Sequence, residues 1–110
     1  MNPNTQIIVN DAMREYRRTG RKAFRKRQVS VLRSLLNDIF EHEPNCRDRI
    51  QSIGKRQLTG YYRRHSHLKL ATLVARWRVL CILFEKMGMN EPLHPSKVIK
   101  KKVGTENNVQ

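Results

Sequence analysis

The sequence predicts an all-α fold, a small bundle of four to five helices. Apolar residues recur at intervals of three and four in two long stretches, Lys22 to His42 and Ser66 to Gly88. That spacing places the apolar side chains on one face of a helix. No alternation of apolar and polar residues is long enough to predict a strand. At 110 residues the chain has room for one hydrophobic core.

The first twenty residues predict a lead-in and one short helix. Pro3 disfavours an early helix, so residues 1–9 are expected to be poorly ordered. Asn10 or Asp11 can cap a short helix that Gly20 ends. The predicted organisation is therefore residues 1–20 as lead-in and short helix, 21–95 as a helical DNA-binding core domain, and 96–110 as a basic flexible tail.

A long amphipathic helix is predicted from Lys22 to His42. Pro44 ends it, because proline disfavours helical geometry in the residue before it. A shorter helix is predicted from Lys55 to His65, where Gly60 lowers the intrinsic stability by about 1 kcal/mol relative to alanine. The apolar face of the long helix consists of Phe24, Val31, Leu32, Leu35, Leu36, Ile39 and Phe40.

The last helix is expected to be central to the core. Ser66 is a candidate N-cap and Gly88 a candidate C′ residue, since a hydroxyl accepts from free N–H groups and glycine adopts a left-handed turn without strain. From Val79 to Phe84 the chain is apolar without a break, so this part needs protein on more than one side. Trp77 and Cys81 share the apolar stripe and are expected to be buried.

The charge balance predicts a polyanionic partner. The chain has 23 Lys and Arg against 9 Asp and Glu, for a formal net charge of +14. Eight of the basic residues lie between Arg14 and Arg27. Nucleic acid is favoured over an anionic membrane surface, because the charges belong to a well-patterned globular sequence. The alternative is a solvated basic face without specific function.

Two cysteines without a Cys-x-x-Cys pair do not indicate a disulfide framework. The six-residue apolar run is too short to cross a bilayer, and the N-terminus lacks the features of a signal peptide. We therefore expect no membrane partner and a cytoplasmic protein, associated with the nucleoid if the source is bacterial.

Catalytic and metal-binding patterns are weak. His42, Cys46, His65 and His67 could converge on a zinc ion, but histidines at helix ends are more often surface residues. Cys46 is the candidate for a nucleophile, without supporting neighbours. The glycines do not form a phosphate-binding loop. The sequence thus predicts no enzymatic activity, no metal and no cofactor.

Basic residues of three segments could converge on a nucleic-acid surface: Arg14 to Arg33, Lys55 to Lys69, and Lys97 to Lys102. Within the middle segment, Tyr62, Arg63 and Arg64 are predicted to contact DNA, because hydroxyl and guanidinium groups bind phosphate oxygens or base edges. Tyr61 is expected to pack in the core, three residues after Leu58.

Residues 27–95 resemble the N-terminal core-binding domain of tyrosine recombinases, the SAM-like helical domain of phage integrases. The likeness lies in the order of the segments: a first helix over Val31 to Phe40, an I-x-x-I-x-x-x-x-L-x-x-Y segment over Ile50 to Tyr61, and an L-x-x-A-T-L-x-x-R helix from Leu68 to Gly88. The exit Met89 to Pro92 is similar to the G-x-x-x-N-P step of that family, with Glu91 inserted before the proline.

The resemblance implies a domain that clamps one face of duplex DNA. In the family a second domain performs catalysis with an Arg, Lys, His-x-x-Arg and Tyr set, and none of the four histidines here is followed by Arg at the third position. DNA binding without strand cleavage is therefore implied, with a recombinase catalytic domain as a possible protein partner. The DNA-facing positions it implies are Arg25, Lys26, Arg33, Lys69, Thr72 and Arg76.

Two other functions remain open at this level. One is a small helical regulatory or recombinase-accessory protein that acts through protein contact, and the other is RNA binding. A shared concave face with Arg25, Arg33, Lys69 and Arg76 would favour duplex binding. An uncovered apolar patch around Val79, Ile82 and Leu83 would favour a protein partner.

Overall fold

The computed structural model describes residues 1–100, which form five α-helices, three short 3₁₀ helices and no strand. The all-α fold class and the small helical bundle are confirmed. The α-helices are α1 (Pro3–Ala12), α2 (Arg14–Arg18), α3 (Lys22–His42), α4 (Lys55–Arg64) and α5 (Leu70–Lys86), and the 3₁₀ helices are Pro44–Cys46, Ile50–Ser52 and Pro95–Lys97.

The core lies where α3 packs against α4 and α5. The buried side chains of α3 and α5 are the apolar residues at three- and four-residue spacing. They are Val29, Leu32, Leu35, Leu36, Ile39 and Phe40 on α3, and Leu73, Val79, Leu80, Leu83 and Phe84 on α5. The predicted apolar face of α3 is confirmed from Leu32 to Phe40, but Phe24 is 45% exposed and Val31 only half-buried. On α5 the apolar run is buried at Val79, Leu80, Leu83 and Phe84, whereas Trp77 and Cys81 were expected to be buried and are only half-buried.

The N-terminal segment is part of the domain, and the prediction of a poorly ordered lead-in was wrong. Pro3 begins α1, since its fixed φ suits the first helical position and its missing N–H is not needed there. The side chain of Asn2 accepts a hydrogen bond from the Thr5 N–H at 2.8 Å and caps the helix. Val9 and Met13 are fully buried in the core.

The sequence predicted the C-terminal end of α5 correctly but placed its N-terminal end too early. The helix begins at Leu70, and its N-cap, Lys69, lies three residues after the predicted N-cap Ser66. At the other end Gly88 has φ +70°, as predicted for a C′ glycine. The N–H of Gly88 donates to the Glu85 carbonyl at 3.1 Å and the N–H of Met89 to the Phe84 carbonyl at 2.8 Å, which is a Schellman motif.

The extended exit after α5 is tied to the bundle by two side chains. Tyr62 Oη donates to the Leu93 carbonyl at 2.7 Å, and Trp77 Nε1 donates to the Pro92 carbonyl at 2.9 Å. Trp77 is half-buried under this segment, and its ring makes an edge contact with His94. The indole thus packs against the exit and not in the centre of the core, which corrects its predicted position.

The predicted boundary at residue 96 falls within packed structure. Pro95 is buried, and Val98 and Ile99 pack against the core. The rest of the predicted basic tail, residues 101–110, lies outside the described residues, as do Lys101 and Lys102 of the third basic segment. Among the described helices, none combines the length and apolar character that crossing a bilayer requires.

Candidate nucleic-acid interface

A concave surface between α2 and the start of α3 is lined entirely by basic side chains. Its volume is about 430 Å³, and we call it the basic cleft. The lining residues are Arg14, Arg17 and Arg18 from α2, and Lys22 and Lys26 from α3. Residues three and four apart share a face of a helix, so each helix presents its basic residues on one side.

The turn between the two helices is held by Arg25. Its guanidinium lies over the Tyr16 ring, 4.4 Å from the centroid, and donates to the Tyr16 carbonyl and to Thr19 Oγ1 at 3.2 and 2.8 Å. Gly20 has φ +67°, and a Cβ there would lie 2.9 Å from Arg25 Cζ. The left-handed backbone favours glycine here, and a side chain at this position would also have to displace the Arg25 guanidinium.

The cations of the basic cleft are poorly neutralised. Arg14 pairs with Asp11 at 2.6 Å on the exposed surface, and Arg17 Nη2 donates to the Asn10 carbonyl at 3.4 Å. Within the described chain, Arg18, Lys22 and Lys26 have neither an ion-pair nor a hydrogen-bond partner. Like charges held this close repel one another, and a bound anion would relieve that repulsion.

Two further features add to the positive potential. Arg17 Nε is buried and has no hydrogen-bond partner among residues 1–100. The first turn of α3 contains no acidic side chain, and its N-cap residue, Arg21, makes no side-chain capping bond. The positive end of the helix dipole is therefore uncompensated beside Lys22 and Lys26.

Three of the nine predicted site residues are exposed and unpaired within the described residues. Lys26 lies in the basic cleft. Arg63 and Lys69 flank the turn between α4 and α5. These three positions have the free cationic groups that phosphate contact needs.

Four predicted arginines instead use their guanidinium groups inside the bundle. Besides Arg25, Arg33 donates to Asn10 Oδ1 on α1. Arg64 donates to Asp38 Oδ1 at 2.6 Å, and Arg76 donates to Tyr61 Oη at 2.8 Å. All four are half-buried and connect neighbouring elements, so they do not present free cations on a shared concave face.

Tyr62 and Thr72 occupy less accessible positions. Tyr62 is fully buried with its hydroxyl bound to the Leu93 carbonyl, and burial raises its pKa well above the usual range. The predicted DNA contact of Tyr62 was therefore wrong, because the aromatic ring is needed to fill the core. Tyr61 is buried as predicted. Thr72 is half-buried in the first turn of α5.

Four cleft residues were missing from the predicted site: Arg14, Arg17, Arg18 and Lys22. The signal that could have found them was present, since eight basic residues lie between Arg14 and Arg27. Within this run the resemblance implied only Arg25 and Lys26 as contact residues.

The residues considered as zinc ligands, His42, Cys46, His65 and His67, are not grouped as a metal centre in the described part of the chain. No group of three or more His, Cys, Asp or Glu side chains suited to a metal ion occurs in residues 1–100. His42 Nδ1 and His65 Nε2 each lie 3.7 Å from a carboxylate oxygen of Asp38, but Arg64 already binds that carboxylate.

The cysteines are placed in the reverse of the predicted order. Cys46 is buried and Cys81 only half-buried. Burial raises the pKa of the Cys46 thiol, with a smaller contribution from Glu43. Burial raises the pKa of Cys81 to about 11. Both environments oppose the thiolate form that a nucleophile needs.

Comparison of the chain with protein-family models, with curated proteins and with solved structures found no significant match.

Proposed function

We propose that this chain is a helical DNA-binding module that holds duplex DNA by its phosphates in the basic cleft. The observation that carries the proposal is a concave surface whose five lining side chains are all cationic. Such a surface attracts a polyanion and releases its condensed counterions on binding.

The chemistry of the cleft favours phosphates over bases. The three arginines can bind phosphate oxygens with two parallel hydrogen bonds, and the two lysines act as point charges. Asn, Gln and aromatic side chains, which read or stack on bases, are not part of the lining. We therefore expect weak sequence preference and a preference for duplex over single-stranded DNA.

The resemblance to the SAM-like core-binding domain of phage integrases is part of this proposal, because it favours DNA over other polyanions as the partner. The contact surface is shifted from the start of α5 to α2 and the start of α3, because the arginines carried over by resemblance are bound internally. The proposal assigns DNA binding, and not strand cleavage, to these residues. A cytoplasmic location, with association to the nucleoid if the source is bacterial, belongs to the same proposal.

Fluorescence anisotropy of a labelled duplex at increasing salt concentration tests the proposal. If the cleft neutralises five phosphates, log K should fall against log salt with a slope of about −4.5. The double variant Lys22→Ala/Lys26→Ala should weaken binding and make the slope shallower by about 2, one for each lysine. Single-stranded DNA and duplex RNA of the same length are measured in parallel.

The chain offers a matched control in Lys55→Ala/Arg56→Ala. These residues are also exposed cations in the first turn of a helix, but they lie outside the cleft and have no partner within residues 1–100. The control variant should keep the slope of the parent to within about 0.5. Equal losses in the two double variants would show a nonspecific charge effect and reject the cleft as the binding site.

A further inference from the structure

On the side of α3 that faces α5 lies a second, apolar concavity. Its volume is about 220 Å³, and we call it the α3–α5 groove. The groove is separate from the basic cleft, with no shared lining residue. It is lined by Tyr16, Phe24, Gln28, Ala75, Arg78, Val79 and Ile82.

Phe24 makes the groove unusual on so basic a surface. Its side chain is 45% exposed and is one of three large hydrophobic residues in the described chain that are exposed, the others being Ile7 and Ile8 on α1. Leaving an aromatic ring in water forgoes the free energy of its burial. Ile82 beside it is half-buried and offers an apolar surface to a ligand that covers the ring, and the buried Val79 lies behind it in the lining.

Arginines surround the apolar surface. The Arg21 guanidinium lies 6.0 Å from the centroid of the Phe24 ring, and Arg25 lies over Tyr16. Arg78 belongs to the lining, is exposed and has no ion-pair or hydrogen-bond partner within residues 1–100. Acidic side chains are not part of the lining. A complementary ligand therefore combines one apolar group with negative charge on either side of it.

We propose that the α3–α5 groove docks an acidic segment of another protein, which inserts an apolar side chain against Phe24 and places carboxylates beside Arg21 and Arg78. The volume suits a single large side chain, so the interaction is a one-anchor contact. This inference goes beyond the proposed DNA binding and does not depend on it.

Two other occupants fit less well. A nucleobase inserted in the groove would have Gln28 and Arg78 as side-chain hydrogen-bond partners. The apolar walls would leave the rest of its polar edge unpaired, and unpaired polar groups are costly when buried. A second copy of this chain would bring another formal charge of +14 to the same surface, which like-charge repulsion opposes. An acidic segment meets neither obstacle.

Binding of two synthetic peptides to the full chain tests the inference. The first peptide has glutamates on both sides of a single leucine, and the second has serine in place of the leucine. We expect roughly tenfold tighter binding of the leucine peptide, the ratio that burial of one aliphatic side chain supplies. Phe24→Ser should reduce that ratio to near one, and Arg78→Ala should weaken both peptides.

Ile7→Ser is the matched control, because Ile7 is also an exposed large hydrophobic residue, 58% exposed against 45% for Phe24, but lies outside the groove. It should leave both peptide affinities unchanged, and Phe24→Ser should leave duplex DNA affinity unchanged. Equal binding of the two peptides to the parent would overturn the proposal. The proposal would also be overturned if Phe24→Ser abolished binding of oligothymidylate but left peptide binding intact, since a nucleobase would then occupy the groove. Dimerisation of the parent in sedimentation that Phe24→Ser abolishes would instead identify a second copy of the chain as the occupant.

Discussion

Arg64 on α4 donates two hydrogen bonds to Asp38 Oδ1 on α3, from Nη2 at 2.6 Å and from Nε at 3.0 Å. The Arg64 and Asp38 side chains are only 26% and 20% exposed. His42 and His65 also face the carboxylate. The Asp38 carboxylate thus lies close to three side chains, His42 on α3, Arg64 on α4 and His65 directly after α4. Arg64 is therefore a structural residue of the bundle.

Asp38→Asn should lower the free energy of unfolding by about 1–2 kcal/mol, because it removes the charge that the half-buried guanidinium needs. Chemical denaturation followed by circular dichroism measures the loss. The matched control is Asp11→Asn, whose pair with Arg14 has the same 2.6 Å separation but side chains 59% and 58% exposed. That change should stay within about 0.5 kcal/mol, and equal effects in the two variants would contradict a structural role for Asp38.

Tyr62→Phe should cost about 1 kcal/mol of stability, since it removes one hydrogen bond and leaves the Leu93 carbonyl without that donor. The ring remains, so the core stays filled. Duplex affinity in the anisotropy assay should be unchanged. A folded Tyr62→Phe variant with clearly weakened DNA binding would restore Tyr62 as a contact residue and contradict its burial.

Stability should fall in alkaline solution because of the two buried tyrosines. Burial raises the pKa of Tyr61, against the opposing effect of Arg76, and raises the pKa of Tyr62. An unfolded tyrosine ionises near pH 10, so above that pH the unfolded chain loses protons that the folded chain keeps. The stabilisation is complete below about pH 10 and declines as the pH rises toward the folded-state values.

Urea midpoints measured from about pH 8 to about pH 11 test the alkaline decline. The variant Tyr61→Phe/Tyr62→Phe keeps both rings and removes both hydroxyls, so its midpoint should depend less on pH over the same range. An identical pH dependence in parent and variant would show that other groups, such as the lysines, cause the decline.

Gly88→Ala should destabilise the protein by about 1 kcal/mol, because an L-residue is strained at φ +70°. A Cβ at this position meets nothing within 4 Å, so the cost is entirely in the backbone. Gly88→Asn should lose less, since asparagine tolerates the left-handed region better than alanine. Thermal denaturation of both variants distinguishes the two causes. Backbone strain predicts a larger loss for Gly88→Ala, whereas a steric conflict predicts a larger loss for Gly88→Asn.

The sequence was most informative where the signals are local. The bounds of α3 match the predicted Lys22 to His42, and α4 ends one residue before the predicted His65. Gly88 takes its predicted left-handed turn. Periodicity, proline and glycine act on neighbouring residues, so these features depend little on the rest of the chain.

Errors appeared where two local signals competed. Proline disfavours a helix that continues through it but is also the preferred first residue of a helix, and Pro3 begins α1. Ser66 has the chemistry of an N-cap, but the residues after it form a polar turn and α5 begins at Leu70.

The sequence by itself determined an all-α chain with one core, two amphipathic helices and a large excess of positive charge. Only the tertiary structure decided which basic side chains are free. Arg64 meets its acceptor 26 residues away, Arg76 meets Tyr61 15 residues away, and Tyr62 reaches Leu93 across 31 residues. A cation is available to a ligand only if folding brings it no internal partner, and that condition depends on contacts distant in sequence. For this reason the basic run was visible in the sequence, and the cleft that five of its residues line was not.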